Sequence, residues 1–357
     1  MRWSNLALTA DPPTDALPMA LPDAVVRTFD TPGFAGITFY EIRAKSIISR
    51  VPAASRVPFQ WTINPYRGCS HACRYCFARN THTYLDLDAG HDFDSKVIVK
   101  VNAPELLRRE LAAPTWPGEH IAMGTNVDCY QRAEGRYELM RGIIAALRDH
   151  ANPFSILTKG TLITRDLDLL REAAEVTSVG VSFSVGFLDD AHWRAVEPGT
   201  PSPRRRLDAV RRFADAGFGV QVLMAPILPG LTDSEESIDA TVAAIAAAGA
   251  RGVTPIVLHL RPGAREWYLS WLARTHPNLM DRYRALYRGG SYAPKAYQRE
   301  VSARVEAAAR RHRLGAGAPS EHRQIDQDRD RRTDRDAGRR ADRARPAAAA
   351  AEQLTLL

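Results

Sequence analysis

Three cysteines, Cys69, Cys73 and Cys76, lie close together in the segment NPYRGCSHACRYCFAR, spaced C-x3-C-x2-C. Thiolates are the usual ligands of iron–sulfur cubanes, which present four irons. Three cysteines on one loop leave one iron without a protein ligand. Such an open iron can chelate amino and carboxylate groups and pass an electron into an adjacent sulfonium. The other chemistry open to these residues is a structural zinc site, with His71 or another histidine as fourth ligand. Zinc sites more often show two separated ligand pairs, and no second pair is present here.

A loop of this kind needs a scaffold, and the downstream sequence supplies a rhythm. Apolar, β-prone runs at 59–64, 121–124, 154–158, 179–185, 220–225 and 253–260 alternate with helical patterns. The helices are expected at 103–111, 137–148, 166–174, 204–216 and 234–248. This alternation predicts an α/β fold with a parallel sheet. Six βα units are fewer than the eight of a closed barrel, so a partial (βα)6 TIM-like barrel is expected. Closure would need two more strands in the N-terminal region. The cysteine loop follows the first expected strand, at the C-terminal mouth where such folds keep their chemistry.

The organisation follows from the same pattern. Residues 1–58 read as a Pro-rich arm followed by short packing elements, and 59–262 as the partial barrel. Residues 263–314 read as a helical extension. Residues 315–357, in which 321–345 mix Arg and Asp with almost no apolar residues before an Ala run, are expected to be a disordered tail ending in QLTLL.

Composition bounds the remaining classes. The net charge of +7 comes almost entirely from arginine, with five lysines in the chain. An Ala- and Arg-rich chain can owe this bias to its genome, so bulk basicity says little about nucleic acid. There is no long apolar run for a membrane span, and the N-terminus lacks a signal-peptide pattern. The expected compartment is the cytoplasm. Four cysteines without an export signal argue against a disulfide framework.

With Tyr75 before the last cysteine, the C-x3-C-x2-C segment resembles the signature of the radical SAM superfamily. The blocks GTNVDCYQRAEGRYELMRGII, SILTKGTLITRDLDLL, VSFSVGFLDDAHWRAVEPGTPSPRRRLDAV and VLMAPILPGLTD resemble its spore photoproduct lyase-like branch. The resemblance implies a [4Fe–4S] cluster on Cys69, Cys73 and Cys76, with S-adenosylmethionine on the fourth iron. That cofactor would be cleaved to methionine and a 5′-deoxyadenosyl radical. A flavodoxin or ferredoxin would supply the electron.

The expected cofactor-binding residues are Tyr75, Asn126, Asp128, Lys159, Ser184, Glu197 and Arg206. Lys159 ends a strand and would neutralise the methionyl carboxylate; otherwise it is a surface lysine. Ser182 and Ser184 share one strand face, with Ser184 preferred as a hydroxyl for the cofactor. Asn126 and Asp128 follow the second strand, and Glu197 and Arg206 flank the EPGTPSP turn, where capping or a surface ion pair is the structural alternative. The APILPG run resembles a segment that packs near adenine.

The branch resemblance points to DNA and a damaged base as substrate. Its hydrogen donor, a cysteine just before a Thr-Ser-Asp segment, is replaced here by Gly124 before Thr125. Cys129 is the candidate substitute donor, against a reading as a small buried residue. The terminal Gln353, Leu354, Leu356 and Leu357 resemble a peptide that docks on the DNA sliding clamp. Two other functions compete: radical modification of a protein or small molecule, and a cluster-bearing DNA-binding or redox-sensing protein without catalysis.

Overall fold

The structure, a computed structural model, describes residues 3–4, 24–52, 55 and 57–316. Six strands carry the fold: β1 (Trp61–Ile63), β2 (Ile121–Met123), β3 (Phe154–Thr158), β4 (Val179–Ser184), β5 (Gln221–Ile227) and β6 (Gly252–Val257). They pair in chain order and all in parallel. Strand Ile48–Arg50 extends the sheet antiparallel to β1, and Gly315–Ala316 extends it parallel to β6. Among the described residues these two outer strands do not meet, so the sheet is open. The six expected strands are all present.

The crossover helices are α1 (Ala103–Leu111), α2 (Leu139–Asp149), α3 (Leu167–Val176), α4 (Pro203–Asp215) and α5 (Glu235–Ala247). Each lays an apolar stripe on the sheet. In α2 the buried residues Met140, Ile143, Ile144 and Leu147 recur at helical spacing. Helix α4 starts where Ser202 accepts from the Arg205 N–H, with Pro203 in the first turn. Helix α2 begins two residues after the apolar pattern suggests. Glu138 adopts a left-handed backbone, φ 49°, between the single turn Glu134–Tyr137 and α2.

A second sheet was not anticipated. Thr38–Ala44 pairs in parallel with Lys96–Lys100, which pairs antiparallel with Tyr66–Arg67. Trp3–Ser4 and Val25–Arg27 add to the same sheet. The run KVIVK at 96–100 is too short to show a period, and its partners lie far away in the chain. The consequence reaches the cysteines. The chain leaves the main sheet at Ile63, joins the second at Tyr66, and only then enters the loop.

At the other end, α6 (Ala264–Thr275), α7 (Met280–Leu286) and α8 (Lys295–Arg311) follow β6. Helix α8 packs on α5, and α6 packs on the 3-10 segment Phe77–Leu85 after the cysteines. Tyr268, Trp271, Tyr283 and Tyr287 form their own buried cluster there. Among the described residues no helix is long and apolar enough to cross a membrane. The QLTLL peptide, Gln353 to Leu357, lies outside the described residues.

One buried titratable group in this scaffold gives a pH dependence. His82 is fully buried, edge-on to Phe93 with ring centres 5.1 Å apart, and its Nε2 lies 2.9 Å from the Lys96 carbonyl. Burial lowers its pKa to about 4, so the folded chain holds it neutral. The unfolded chain protonates it near its ordinary value of about 6.5. Its contribution to stability is therefore complete above that pH and is lost as pH falls toward 4. Urea unfolding of the wild type should show a loss of up to about 3 kcal/mol from this residue across that window. His82→Phe should flatten the profile; an unchanged slope would contradict the assignment.

Candidate active site at the mouth of the sheet

The loop from Gly68 to Phe77 closes two turns of its own, with the Ala72 N–H on the Cys69 carbonyl at 3.1 Å and the Cys76 N–H on the Cys73 carbonyl at 3.2 Å, and the rest of its backbone is held by groups from elsewhere. The Cys69 N–H donates to the Phe93 carbonyl at 2.9 Å. Gln131 accepts from the Ser70 N–H and donates to the Gly68 carbonyl, both at 2.9 Å. The Gly199 N–H donates to the His71 carbonyl at 3.0 Å, and the Arg74 N–H to the Val196 carbonyl at 2.9 Å. Arg79, wholly buried, donates to the Cys73 carbonyl at 2.9 Å and pairs with Asp94 at 2.7 Å. Its guanidinium lies 5.0 Å from the Trp267 ring and 5.2 Å from Phe93.

All three cysteines are free thiols; Cys69 and Cys73 are buried and Cys76 half-buried. Burial pushes all three thiol pKa values up, and for Cys69 the neighbouring Asp128, Cys73 and Cys76 add to the effect. The sulfurs thus share one desolvated space. His71, the fourth ligand a zinc reading needs, instead faces Asp128, with Nδ1 to Oδ2 at 3.4 Å. Among the described residues no three His, Cys, Asp or Glu side chains are arranged to hold a single metal ion. A cubane takes its thiolates on different irons and makes no such demand. The three thiols fit a cluster that would deprotonate them on binding.

Beside the thiols lies a buried polar network. Lys159 follows β3, and its ammonium donates to the Ser184 hydroxyl and, at 3.4 Å, to the Ala225 carbonyl. The ammonium stands 3.9 Å from Glu197 Oε1 and 5.8 Å from the centre of the Tyr75 ring. The Tyr75 hydroxyl donates to Glu197, whose other oxygen accepts from Arg206. Arg206 is wholly buried and also donates to the Ser184 carbonyl at 2.9 Å. Burial would raise the Glu197 pKa, but Arg206, Lys159 and Tyr75 outweigh it and keep the carboxyl ionised. Tyr75, Lys159, Ser184, Glu197 and Arg206 therefore form one connected group.

Asp128 ties the mouth together rather than presenting free oxygens. It accepts from the Thr158 hydroxyl at 2.6 Å, the Tyr130 N–H at 2.9 Å and the Lys159 N–H at 2.7 Å. Burial pushes its pKa up, yet His71 and these donors hold it down at about 2. Asn126 is half-buried on the same connection. Ser182 is half-buried on β4, and Ser184 fully buried. Cys129 is fully buried in the main core, where burial, Asp128 and Glu134 raise its thiol pKa. Ala225, from the APILPG run, receives Lys159 and Ser184 at its carbonyl.

Sequence reasoning passed over Arg79, Gln131, the His71–Asp128 pair and Asn64. The Asn64 side-chain oxygen is buried at the end of β1 without a partner. Arg79 sits in CFAR, three residues after Cys76; a cation so close to clustered thiols was the available signal. Gln131 carried none, because its partners come from the distant loop.

Residues 63–242 match the family model of the Radical SAM superfamily. The chain belongs to the radical SAM superfamily. It is 50% identical over 317 residues to an uncharacterized protein of Mycobacterium tuberculosis, covering 88% of this chain and 93% of that one. An uncharacterized protein of Methanocaldococcus jannaschii is 30% identical over 207 residues, covering 57% of this chain and 73% of the other. Among solved structures, spore photoproduct lyase with bound AdoMet and dinucleoside spore photoproduct superposes with a TM-score of 0.57. That match covers 74% of this chain and 77% of the lyase at 18% identity, a likeness of fold. Radical SAM membership implies a [4Fe–4S] cluster and S-adenosylmethionine.

The clamp on the loop generates a prediction. A Cβ on Gly199 would stand 2.0 Å from the Ser70 carbonyl oxygen, so Gly199→Ala must displace the cysteine loop. Iron bound per chain after anaerobic reconstitution should fall by well over half, with the far-ultraviolet circular dichroism retained. Gly33→Ala, whose methyl meets open space, should keep its iron. Equal iron in both variants would contradict the role given to Gly199.

Proposed function

We propose that this radical SAM protein is an enzyme that reductively cleaves S-adenosylmethionine and acts on nucleic acid, with a damaged base as substrate. When bound, the cluster on Cys69, Cys73 and Cys76 supplies the electron that cleaves the cofactor to methionine and a 5′-deoxyadenosyl radical. The observation that carries the reading is the Lys159 ammonium, held beside the cysteine loop by Ser184, Glu197 and the Tyr75 ring. Two cations, Lys159 and Arg206, face one ionised carboxylate, Glu197. The Lys159 ammonium, 3.9 Å from Glu197 Oε1, is the group suited to the methionyl carboxylate of the cofactor. The Ser184 hydroxyl orients the ammonium, and the Glu197–Arg206 pair fixes the floor beneath it. A sensor without catalysis would have no use for this arrangement.

The nucleic-acid part draws on the fold shared with spore photoproduct lyase, whose structure holds a dinucleoside photoproduct. In this reading a flavodoxin or ferredoxin delivers the electron in the cytoplasm, and the terminal QLTLL peptide docks on the sliding clamp. Cys129, buried in the main core, is then the candidate thiol donor. One observation favours the second reading, radical modification of a protein or small molecule. Gly124 stands where the lyase-like pattern has its donor cysteine, and its φ is +75°.

Reconstituted protein with dithionite and S-adenosylmethionine should release 5′-deoxyadenosine, measured by chromatography. Lys159→Met should raise the KM for the cofactor about ten- to a hundred-fold, as expected for a lost charged hydrogen bond. No product from the wild type would sink the enzymatic reading. Ultraviolet-irradiated oligonucleotide should accelerate turnover; an unchanged rate and no repaired thymidine would sink the damaged-base substrate.

A further inference from the structure

A second group of side chains lines the same mouth and takes no part in the Lys159 network. Phe77, directly after Cys76, is half-buried, and its ring centre lies 5.9 Å from that of His259. His259 follows β6 and stacks on Tyr292, with centres 5.5 Å apart and planes 27° from parallel. The Arg261 guanidinium covers Phe77 at 5.2 Å and reaches the Tyr292 hydroxyl at 3.4 Å. Three rings and one cation thus run outward from the cysteine loop to solvent. Tyr292, at the outer end, is 56% exposed.

This exposed ring is held in place. His259 and Tyr292 form an antiparallel bridge, and the Leu260 N–H donates to the Ser291 carbonyl at 2.7 Å. Arg265 donates to the Gly290 carbonyl at 3.0 Å, and the Tyr287 hydroxyl to the Leu258 carbonyl at 2.6 Å. Burial and Arg261 lower the His259 pKa, which favours a neutral imidazole in the stack. Among the described residues no ion pair involves Arg261, whose contacts are the Tyr292 hydroxyl and the Phe77 ring.

A fixed, exposed aromatic face loses little freedom when a planar ring settles on it. Stacking on such faces tolerates any base, because every base has a π-face. An arginine without an acidic partner beside the stack supplies a fork for phosphate. An aromatic peptide side chain would use the rings but bring no anion to Arg261. We propose that Tyr292, His259 and Phe77, with Arg261, form a subsite that stacks a nucleobase and holds its phosphate at the entrance to the cysteine loop. The proposal rests on the nucleic-acid reading above and identifies the surface that would recognise it.

The test uses the full-length chain with its reconstituted cluster and a short fluorescent oligothymidylate, read by anisotropy. Tyr292→Ala should weaken binding about tenfold, while Tyr292→Trp should retain it. Tyr292→Leu keeps apolar cover without a π-face and should behave like the alanine variant. Arg261→Gln should reduce the slope of log affinity against log salt by about 0.7. If the wild type binds and the alanine and leucine variants bind equally well, the subsite is overturned while the nucleic-acid reading stands. If the wild type does not bind, the nucleic-acid reading fails and the subsite falls with it. Capture of a tyrosine-rich peptide in preference to the oligonucleotide, lost in Tyr292→Ala, would overturn the nucleotide assignment in favour of a protein.

Discussion

The loop that presents the three thiols satisfies only part of its own backbone, through two short turns, and the structure around the site is arranged to meet the remainder. Each buried N–H or C=O left without a partner costs about 1–3 kcal/mol. The partners come from four directions: Phe93 beneath, Gln131 from the β2 connection, Gly199 from the turn after β4, and Arg79 from the 3-10 segment. All but the Arg79 contact, which spans six residues, join the loop to distant parts of the chain. The loop is therefore only as well placed as the sheets and turns that deliver them. This gives the second sheet its purpose, because Tyr66–Arg67 anchors the chain immediately before Cys69.

The same economy governs charge. Glu197 and Arg206 are both wholly buried, and each would be costly without the other. Asp128 gathers the mouths of β2 and β3 and the cysteine loop around one ionised carboxylate. An ionised carboxylate only accepts, so it draws donors from several elements to one point. Lys159 is positioned twice by this logic: Asp128 takes its backbone N–H, while Ser184 takes its ammonium. A change at either tie moves the cation beside the thiols.

The parts of the fold that repeat were legible in the sequence. Six strands and five crossover helices announce themselves through apolar spacing, because each must bury one face or stripe. The cysteine spacing was legible because ligand chemistry fixes residue types directly. Glu197 and Arg206 stand out as a pair around one turn and Lys159, Ser184 and Tyr75 one by one, and the structure joins all five into one buried network. What stayed hidden depends on long-range pairing. Lys96–Lys100 has no period of its own, and Gln131 is singled out only by its contacts with a distant loop. Asp128 was expected to face a ligand, but its oxygens are taken up by protein donors.

At Gly124 the backbone geometry decides which residue can stand beside β3. The residue has φ +75°, a conformation side chains disfavour. A Cβ there would stand 1.8 Å from the Leu157 carbonyl oxygen, on the neighbouring strand β3. No rotamer relieves that contact, since it arises at the first side-chain atom. A thiol therefore cannot occupy this position on the present backbone. Cys129, the remaining thiol near the mouth, is sealed in the core. A hydrogen atom supplied by Cys129 would therefore need a local opening of the core.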